Sequence, residues 1–255
     1  MTEIARALRR ETDIPDGAVA VTLDDGYLNN HEEAWPILEN YGVPATIYLA
    51  TGYIGTGRMM WSDRLEAAIL GTKRTRLDIQ VRNRRIVHDL SSETDRITAF
   101  LEIKALCKAS PNDFKDEIID VLTRYLDTSV AEEHPLYAFM AWDQVREMDA
   151  SPLIDFGAHT VDHVSLARVP DDEMRNQINS SVEALERELG HRCRFFSYPE
   201  GQRDDFDERV IGHLLRKGFD HTPSAIEGVN ELPCSDPFRL FRTMVGFEGR
   251  PYPFG

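Results

Sequence analysis

Two hydrophobic rhythms alternate along the chain. Short, nearly unbroken apolar runs occur at "AVAVTL" (18–23), "ATIYLATGYIG" (45–55), "LIDFGAH" (153–159) and "RFFSY" (194–198). Runs of this kind predict strands covered on both faces, as in a parallel sheet. Between them lie stretches with helical spacing. "EEAWPILENYG" predicts a short helix with Ala34, Ile37, Leu38 and Tyr41 on one side and Gly42 as its stop. The clearest helix is "DDEMRNQINSSVEALERELG", where Met174, Ile178, Val182, Leu185 and Leu189 form one stripe. Two aspartates suit its N-terminal dipole and Gly190 closes it. "DERVIGHLLRKG" predicts another helix, with Val210, Ile211, Leu214 and Leu215 inward. "FDHT" and "RLFRTMVGF" predict short strands after it, and Ile4 and Leu8 mark a short amphipathic helix at the start. Strands and helices in alternation imply an α/β fold built on a parallel sheet or barrel.

Residues 58–140 break this rhythm. "LDIQVRNRRIVHDL" alternates strictly and predicts a hairpin turning near Arg82-Asn83. Two amphipathic helices follow, around Ile97–Leu106 and Phe114–Leu126. The segment reads as a mainly helical insertion or lid inside one domain spanning residues 1–255. "GTG" at 55–57 lacks the strand–helix context of a phosphate loop and reads as a turn.

Composition narrows the partners. The chain has 255 residues, 42% of them hydrophobic, enough for a sizeable core without disulfides. A formal net charge of −15 and a pI near 4.9 repel nucleic-acid phosphate and anionic lipid, which argues against both as general partners. Cys107, Cys193 and Cys234 are isolated, with no CxxC spacing, and read as buried free thiols in a reducing compartment. No run approaches the about 18 apolar residues of a membrane span. The opening "MTEIARALRRETDIPDG" has no apolar core of a signal peptide, so the expectation is a cytoplasmic chain.

Three clusters carry candidate chemistry. The first is "VTLDDGY", where Asp24 and Asp25 stand side by side at a predicted strand end. Asp-Gly is a strong turn signal, and a solvated turn is the simplest account of it. The second is "GAHTVDH", again after a predicted strand, with His159 and His163 four positions apart. If that segment turns helically, both imidazoles share a face and can share a metal; otherwise they are polar loop histidines. In parallel α/β folds the carboxyl ends of the strands converge. Asp25, His159 and His163 together would then make a three-ligand set with a position open for water. The adjacency of the two acids acquires a purpose: Asp25 binds the metal, while Asp24 stays free to take a proton from water. The third cluster is "FFSYPEGQ", where Pro199 and Gly201 make a tight turn. The same turn can aim a backbone N–H, such as that of Glu200, at a developing oxyanion.

In this order the clusters resemble the polysaccharide deacetylase family, the carbohydrate esterases of family 4 with NodB homology. The family's T-F-D-D-G stands here as Thr22-Leu23-Asp24-Asp25-Gly26, and its H-T-x-x-H type motif as His159-Thr160-Val161-Asp162-His163. Its F-x-Y-P-Y-G turn stands as Phe196-Ser197-Tyr198-Pro199-Glu200-Gly201. "VPATIYLATGYIG", "MMWSDRLEAAI" and "MAWDQVREM" are similar to short bacterial members linked to exopolysaccharide synthesis. The resemblance implies a distorted (β/α)7 barrel and a metal-dependent hydrolase that removes N- or O-acetyl groups from a carbohydrate. It also implies Asp24 as base, and Zn²⁺, or else Co²⁺, Ni²⁺ or Mn²⁺, on Asp25, His159 and His163. The Glu200 N–H falls in the oxyanion hole, and Tyr198 and Pro199 of the same turn fall among the substrate contacts. Trp61 would stack on a pyranose face with Asp63 beside it, unless the ring is a core aromatic.

The chain departs from the family pattern in two places. Ser197 occupies the position of the arginine in the R-x-P-Y-G form of the third motif, so something else must orient the base. Arg242 or Arg239 could do so, and either could equally be a surface charge. The family's leaving-group histidine, in the short bacterial members, lies upstream of T-F-D-D-G, whereas the first histidine here is His31. The expectation is that the N-terminal strand carrying it is missing, which leaves the barrel incomplete with an edge that would invite pairing with another copy. His221 is the best internal substitute acid, while His88, His134, His191 and His213 read as solvated. Two alternatives to deacetylation remain: a C–N hydrolase of a cyclic amide or imide, and a catalytically weak carbohydrate-binding relative.

Overall fold

The structure, a computed structural model, describes residues 1–127, 135–234 and 236–245; His134 and the end of "RLFRTMVGF" lie outside these. In chain order the elements are α1 (Thr2–Leu8), β1 (Val21–Leu23), α2 (Trp35–Tyr41), β2 (Ala45–Leu49) and α3 (Trp61–Gly71). Then come β3 (Arg76–Val81), β4 (Arg84–Asp89), α4 (Glu93–Lys108) and α5 (Asn112–Leu126). The chain continues with α6 (Trp142–Asp149), β5 (Ile154–Ala158), α7 (Asp171–Leu189) and α8 (Glu208–Lys217). They fall into two compact units, one made of residues up to Thr56 and from Phe139 onward, the other of Gly57–Ala138. None of these helices is long and apolar enough to cross a membrane.

The first unit holds a parallel sheet in the order β1-β2-β5. Val21 pairs with Ala45, and Leu49 with Ala158, so β1 and β5 flank a central strand whose residues are all buried. Full burial explains the unbroken apolar run of β2. Its side chains meet Met174, Ile178, Val182 and Leu185 of α7 and Val210, Ile211 and Leu214 of α8 in one core. Gly190 ends α7 at φ 73°, and the Asp207 side chain caps α8 by accepting from the amides of Arg209 and Val210.

Several local expectations change. Among the described residues, Ala158 at the end of β5 bridges Phe196 and Pro223 bridges Leu240, in place of the three strands expected at "RFFSY", "FDHT" and "RLFRTMVGF". Pro199 and Pro223 supply no N–H, so a ladder cannot run through them, and no closed sheet forms among the described residues. Helix α2 buries Leu38 but leaves Ile37 and Tyr41 exposed, because a helix of only seven residues rests on the core through a narrow face. On α8, Leu215 is exposed and His213 is buried, its Nε2 against Asn179 Oδ1 at 2.9 Å. Burial holds the His213 imidazole below its ordinary pKa. In α1 the buried residues are Ala5 and Ala7, not Ile4 and Leu8. Cys107 and Cys193 are buried free thiols, and Cys234 is half-buried.

The second unit carries the hairpin β3–β4, turning at Arg82 with φ 49°, with α5 against β3, α4 against β4, and α3 packed on both helices. Helix α4 starts at Glu93, four residues earlier than the apolar spacing alone suggests. Ser92 and Asp95 form a capping box that recruits polar residues into its first turn.

One packing contact in the first unit is testable by itself. A Cβ on Gly157 would lie 2.6 Å from the Tyr48 ring and 2.8 Å from Phe195 Cβ. Gly157→Ala is therefore expected to cost about 1–3 kcal/mol, read as a lower urea midpoint with an unchanged m-value. An unaltered midpoint would show that the ring can move aside at no cost.

Candidate active site

Strand β1 delivers the acid pair. Directly after it, Asp25 has φ 76° and Gly26 φ 89°. A Cβ on Gly26 would approach Leu49 Cδ2 to 2.7 Å and Ile54 Cδ1 to 2.9 Å, so both backbone and space require glycine. The Ala50 amide donates to Asp25 O at 3.1 Å and the Met140 amide to Gly26 O at 3.0 Å, and these two bonds hold the turn.

Strand β5 delivers the histidines, by a different route from the one expected. No helical turn forms over residues 159–163; Thr160 has φ 64° and His163 φ 51°. Two left-handed residues fold the loop back so that the two rings lie 5.0 Å apart. Such backbone costs energy and survives because neighbours hold it. Here the amides of Thr51 and Gly52 donate to Thr160 O at 3.1 Å and Val161 O at 2.9 Å.

The two turns bring three groups together. His159 Nε2 lies 3.6 Å and His163 Nε2 3.2 Å from Asp25 Oδ1, and one ligand atom from each residue fits within a 4.8 Å span. His159 Nδ1 sits 2.8 Å from Ser197 O. A carbonyl only accepts, so Nδ1 carries the proton and Nε2 presents a lone pair to the carboxylate. His159 is 1% exposed. Burial holds its pKa below the ordinary value, against the opposing charges of Asp24 and Asp25, so the neutral form is favoured. Asp25 Oδ1 and His163 Nδ1 are buried without hydrogen bonds among the described residues. Lone pairs facing one another across so short a gap, with the carboxylate oxygen otherwise unsatisfied, are what a divalent cation would bridge. The residues fit one.

Asp24 is held from the opposite end of the chain. Arg242 grips it with both arms, Nη1 donating to Oδ1 at 2.9 Å and Nη2 to Oδ2 at 2.8 Å. The remaining guanidinium donors go to Ser224 O at 2.6 Å, Thr22 Oγ1 at 3.3 Å and Ser197 Oγ at 3.2 Å. All five are thus used, and the fork has one orientation. Burial alone would raise the Asp24 pKa; the Arg242 charge and its hydrogen bonds to both oxygens outweigh it and hold the carboxyl below the usual range. Arg239 is elsewhere, paired with Asp236 and Glu208. The Arg242 Nε is fixed by the Ser224 backbone carbonyl, a main-chain contact that no residue type announces in the sequence.

The other expected residues sit as follows. Glu200 turns at φ 60° and Gly201 at φ 65°, where a Cβ on Gly201 would meet Ala225 N at 2.7 Å. Pro199 is buried. Tyr198 is a correction: its ring stacks on Phe206 at 3.9 Å and its hydroxyl donates to Phe238 O, so the side chain belongs to the core and not to a substrate contact. In the second unit, Trp61 is 7% exposed and carries the Lys115 ammonium 5.2 Å over its ring, and Asp63 is equally buried. The Trp61 face is occupied by a cation and does not offer itself to a pyranose. His221 places Nδ1 on Asp220 beside the Phe195 ring, and among the described residues its Nε2 has no partner and makes no hydrogen bond to the acid pair.

Comparison with known proteins agrees with the motifs. The sequence model of the family described as Polysaccharide deacetylase matches residues 11–219. The structure is similar to that of IcaB from Ammonifex degensii, with a TM-score of 0.55 and 19% identity over 95% of this chain and 75% of that one. The deacetylase domain of BpsB from Bordetella bronchiseptica gives 0.56 and 16% over 95% and 76%. The Streptococcus pyogenes deacetylase PplD, in complex with acetate, gives 0.51 and 17% over 89% of this chain. The matched region spans only 64% of PplD. YxkH of Bacillus subtilis (strain 168) is 36% identical over 53 residues, 21% of this chain and 19% of that protein. At these structural identities the likeness establishes a common fold.

Proposed function

The chain belongs to the polysaccharide deacetylase family, and we propose that it hydrolyses acetyl groups, amide- or ester-linked, from a carbohydrate. The observation that carries this reading is the gathering of Asp25, His159 and His163 beside an Asp24 that has its own cation. Asp25, His159 and His163 would hold a divalent metal, Zn²⁺ or a similar ion, which would supply polarisation of the acetyl carbonyl and lower the pKa of water to about 7. The protein's own groups supply the rest.

Asp24 is the base. Its carboxylate has about four acceptor positions, of which the Arg242 fork uses two, so a substrate water can still be received. Proton acceptance by Asp24 is the role its neighbours prepare, since Arg242 fixes both oxygens and keeps the group ionised. The Glu200 amide, on a turn shaped by the left-handed Glu200 and Gly201, is the proposed donor to the developing oxyanion. His159, oriented by Ser197 O, cannot rotate away from Asp25 without losing that bond.

Chelation tests the reading. Acetate release from acetylated oligosaccharides is expected to vanish after exhaustive treatment with a chelator. It should return on titration with Zn²⁺, Co²⁺, Ni²⁺ or Mn²⁺. Undiminished activity in the chelated protein would sink the metal-dependent reading. Tight binding of such oligosaccharides without acetate release, whatever metal is present, would favour a carbohydrate-binding relative instead.

A further inference from the structure

The stripe that α7 turns to the core contains one polar intruder with long reach. Gln177 sits among Met174, Ile178, Val182 and Leu185 and is 6% exposed. A buried carboxamide is costly unless both its ends are satisfied. Here they are, and by consecutive residues of the histidine loop. Gln177 Oε1 accepts from the amides of Val161 at 3.0 Å and Asp162 at 2.9 Å, while its Nε2 donates to Asp162 Oδ2 at 2.9 Å.

We infer that Gln177 is a positioning residue for the candidate metal centre, holding the loop between His159 and His163 in the form that turns both rings to Asp25. The loop carries two left-handed residues, Thr160 and His163, and would relax if unsupported. Thr51 and Gly52 hold its carbonyls from one side. Gln177 holds its amides from the other, with His163 immediately after the second amide it binds. Two replacements of similar size show what the place demands. Leucine matches the size and leaves two amides unpaired. Glutamate keeps the acceptor but sets a carboxylate against that of Asp162. The bonds that hold the loop come from this chain's own groups; the consequence for metal affinity rests on reading Asp25, His159 and His163 as ligands.

The test uses the full chain, two readouts and three variants. The readouts are amide exchange at Val161 and Asp162 in metal-free protein, and Zn²⁺ affinity by competition with a chromophoric chelator. Gln177→Leu is expected to speed exchange at both amides about tenfold or more and to weaken Zn²⁺ binding about ten- to a hundredfold. Gln177→Glu should fall between. Adding Asp162→Asn to Gln177→Glu reverses donor and acceptor and should bring both readouts back toward the parent. That rescue also decides the matter if Gln177→Leu fails to fold. The inference is overturned if Gln177→Leu lowers the melting temperature while exchange and affinity stay put. It is equally overturned if the double variant recovers neither readout. Should the parent itself bind no Zn²⁺, the ligand reading fails, and the exchange data still judge the loop.

Discussion

Asp24→Asn is expected to reduce acetate release by about two to four orders of magnitude, the usual span for losing a general base, while Zn²⁺ binding persists. The prediction separates the two neighbouring acids. Among the described residues the Asp24 carboxylate makes its hydrogen bonds to Arg242 and none to the candidate ligand set. The amide that replaces it cannot accept a proton from water at neutral pH, and one of its ends presents N–H to a guanidinium that only donates. Asp25→Asn should behave in the opposite way. It removes the carboxylate that both Nε2 atoms face, so metal affinity and turnover fall together. Measuring Zn²⁺ stoichiometry and kcat on both variants checks the division. If Asp24→Asn loses metal along with activity, or retains kcat, the assignment of the base is wrong.

Arg242→Leu is the second large effect. It leaves the Asp24 carboxylate, one quarter exposed, without its cation, and strips donors from Ser224 O, Thr22 Oγ1 and Ser197 Oγ. A buried ion pair broken on one side costs about 3–5 kcal/mol; partial exposure of Asp24 lowers this to about 1–3 kcal/mol. The effect on kcat should be about a hundredfold or more, because the base loses orientation and its carboxyl rises toward and beyond the ordinary range. Arg242→Lys keeps a charge but not the fork, so it should recover part of the stability and little of the kcat. A KM that stays near the parent's would mark a role in positioning the base instead of binding substrate. Full activity in Arg242→Leu would assign the arginine to structure alone.

Much of the site was legible before any fold was known, and the reason is local. Asp24, Asp25 and Gly26 follow an apolar run, and a turn with positive φ needs glycine where Leu49 and Ile54 crowd in. The same logic placed His159 just past β5. The way His163 joins it was not legible, since spacing of four suggested a helical turn and the loop instead uses left-handed residues held by Thr51, Gly52 and Gln177. Nor could the motif distinguish Tyr198 as a core residue from Tyr198 as a wall of the site. That depends on whether Phe206 stacks against it.

Sequence by itself determined the alternation of strands and helices, the acid pair, the histidine pair and the family, because period, turn chemistry and motif act over a few neighbouring residues. Tertiary structure alone decided that Arg242 and not Arg239 holds Asp24, since that partner lies 218 positions away along the chain. It also decided that a glutamine in an apolar stripe serves the histidine loop. Both are contacts across the fold, and such contacts are set by how helices and strands pack together, which no short stretch of residues encodes.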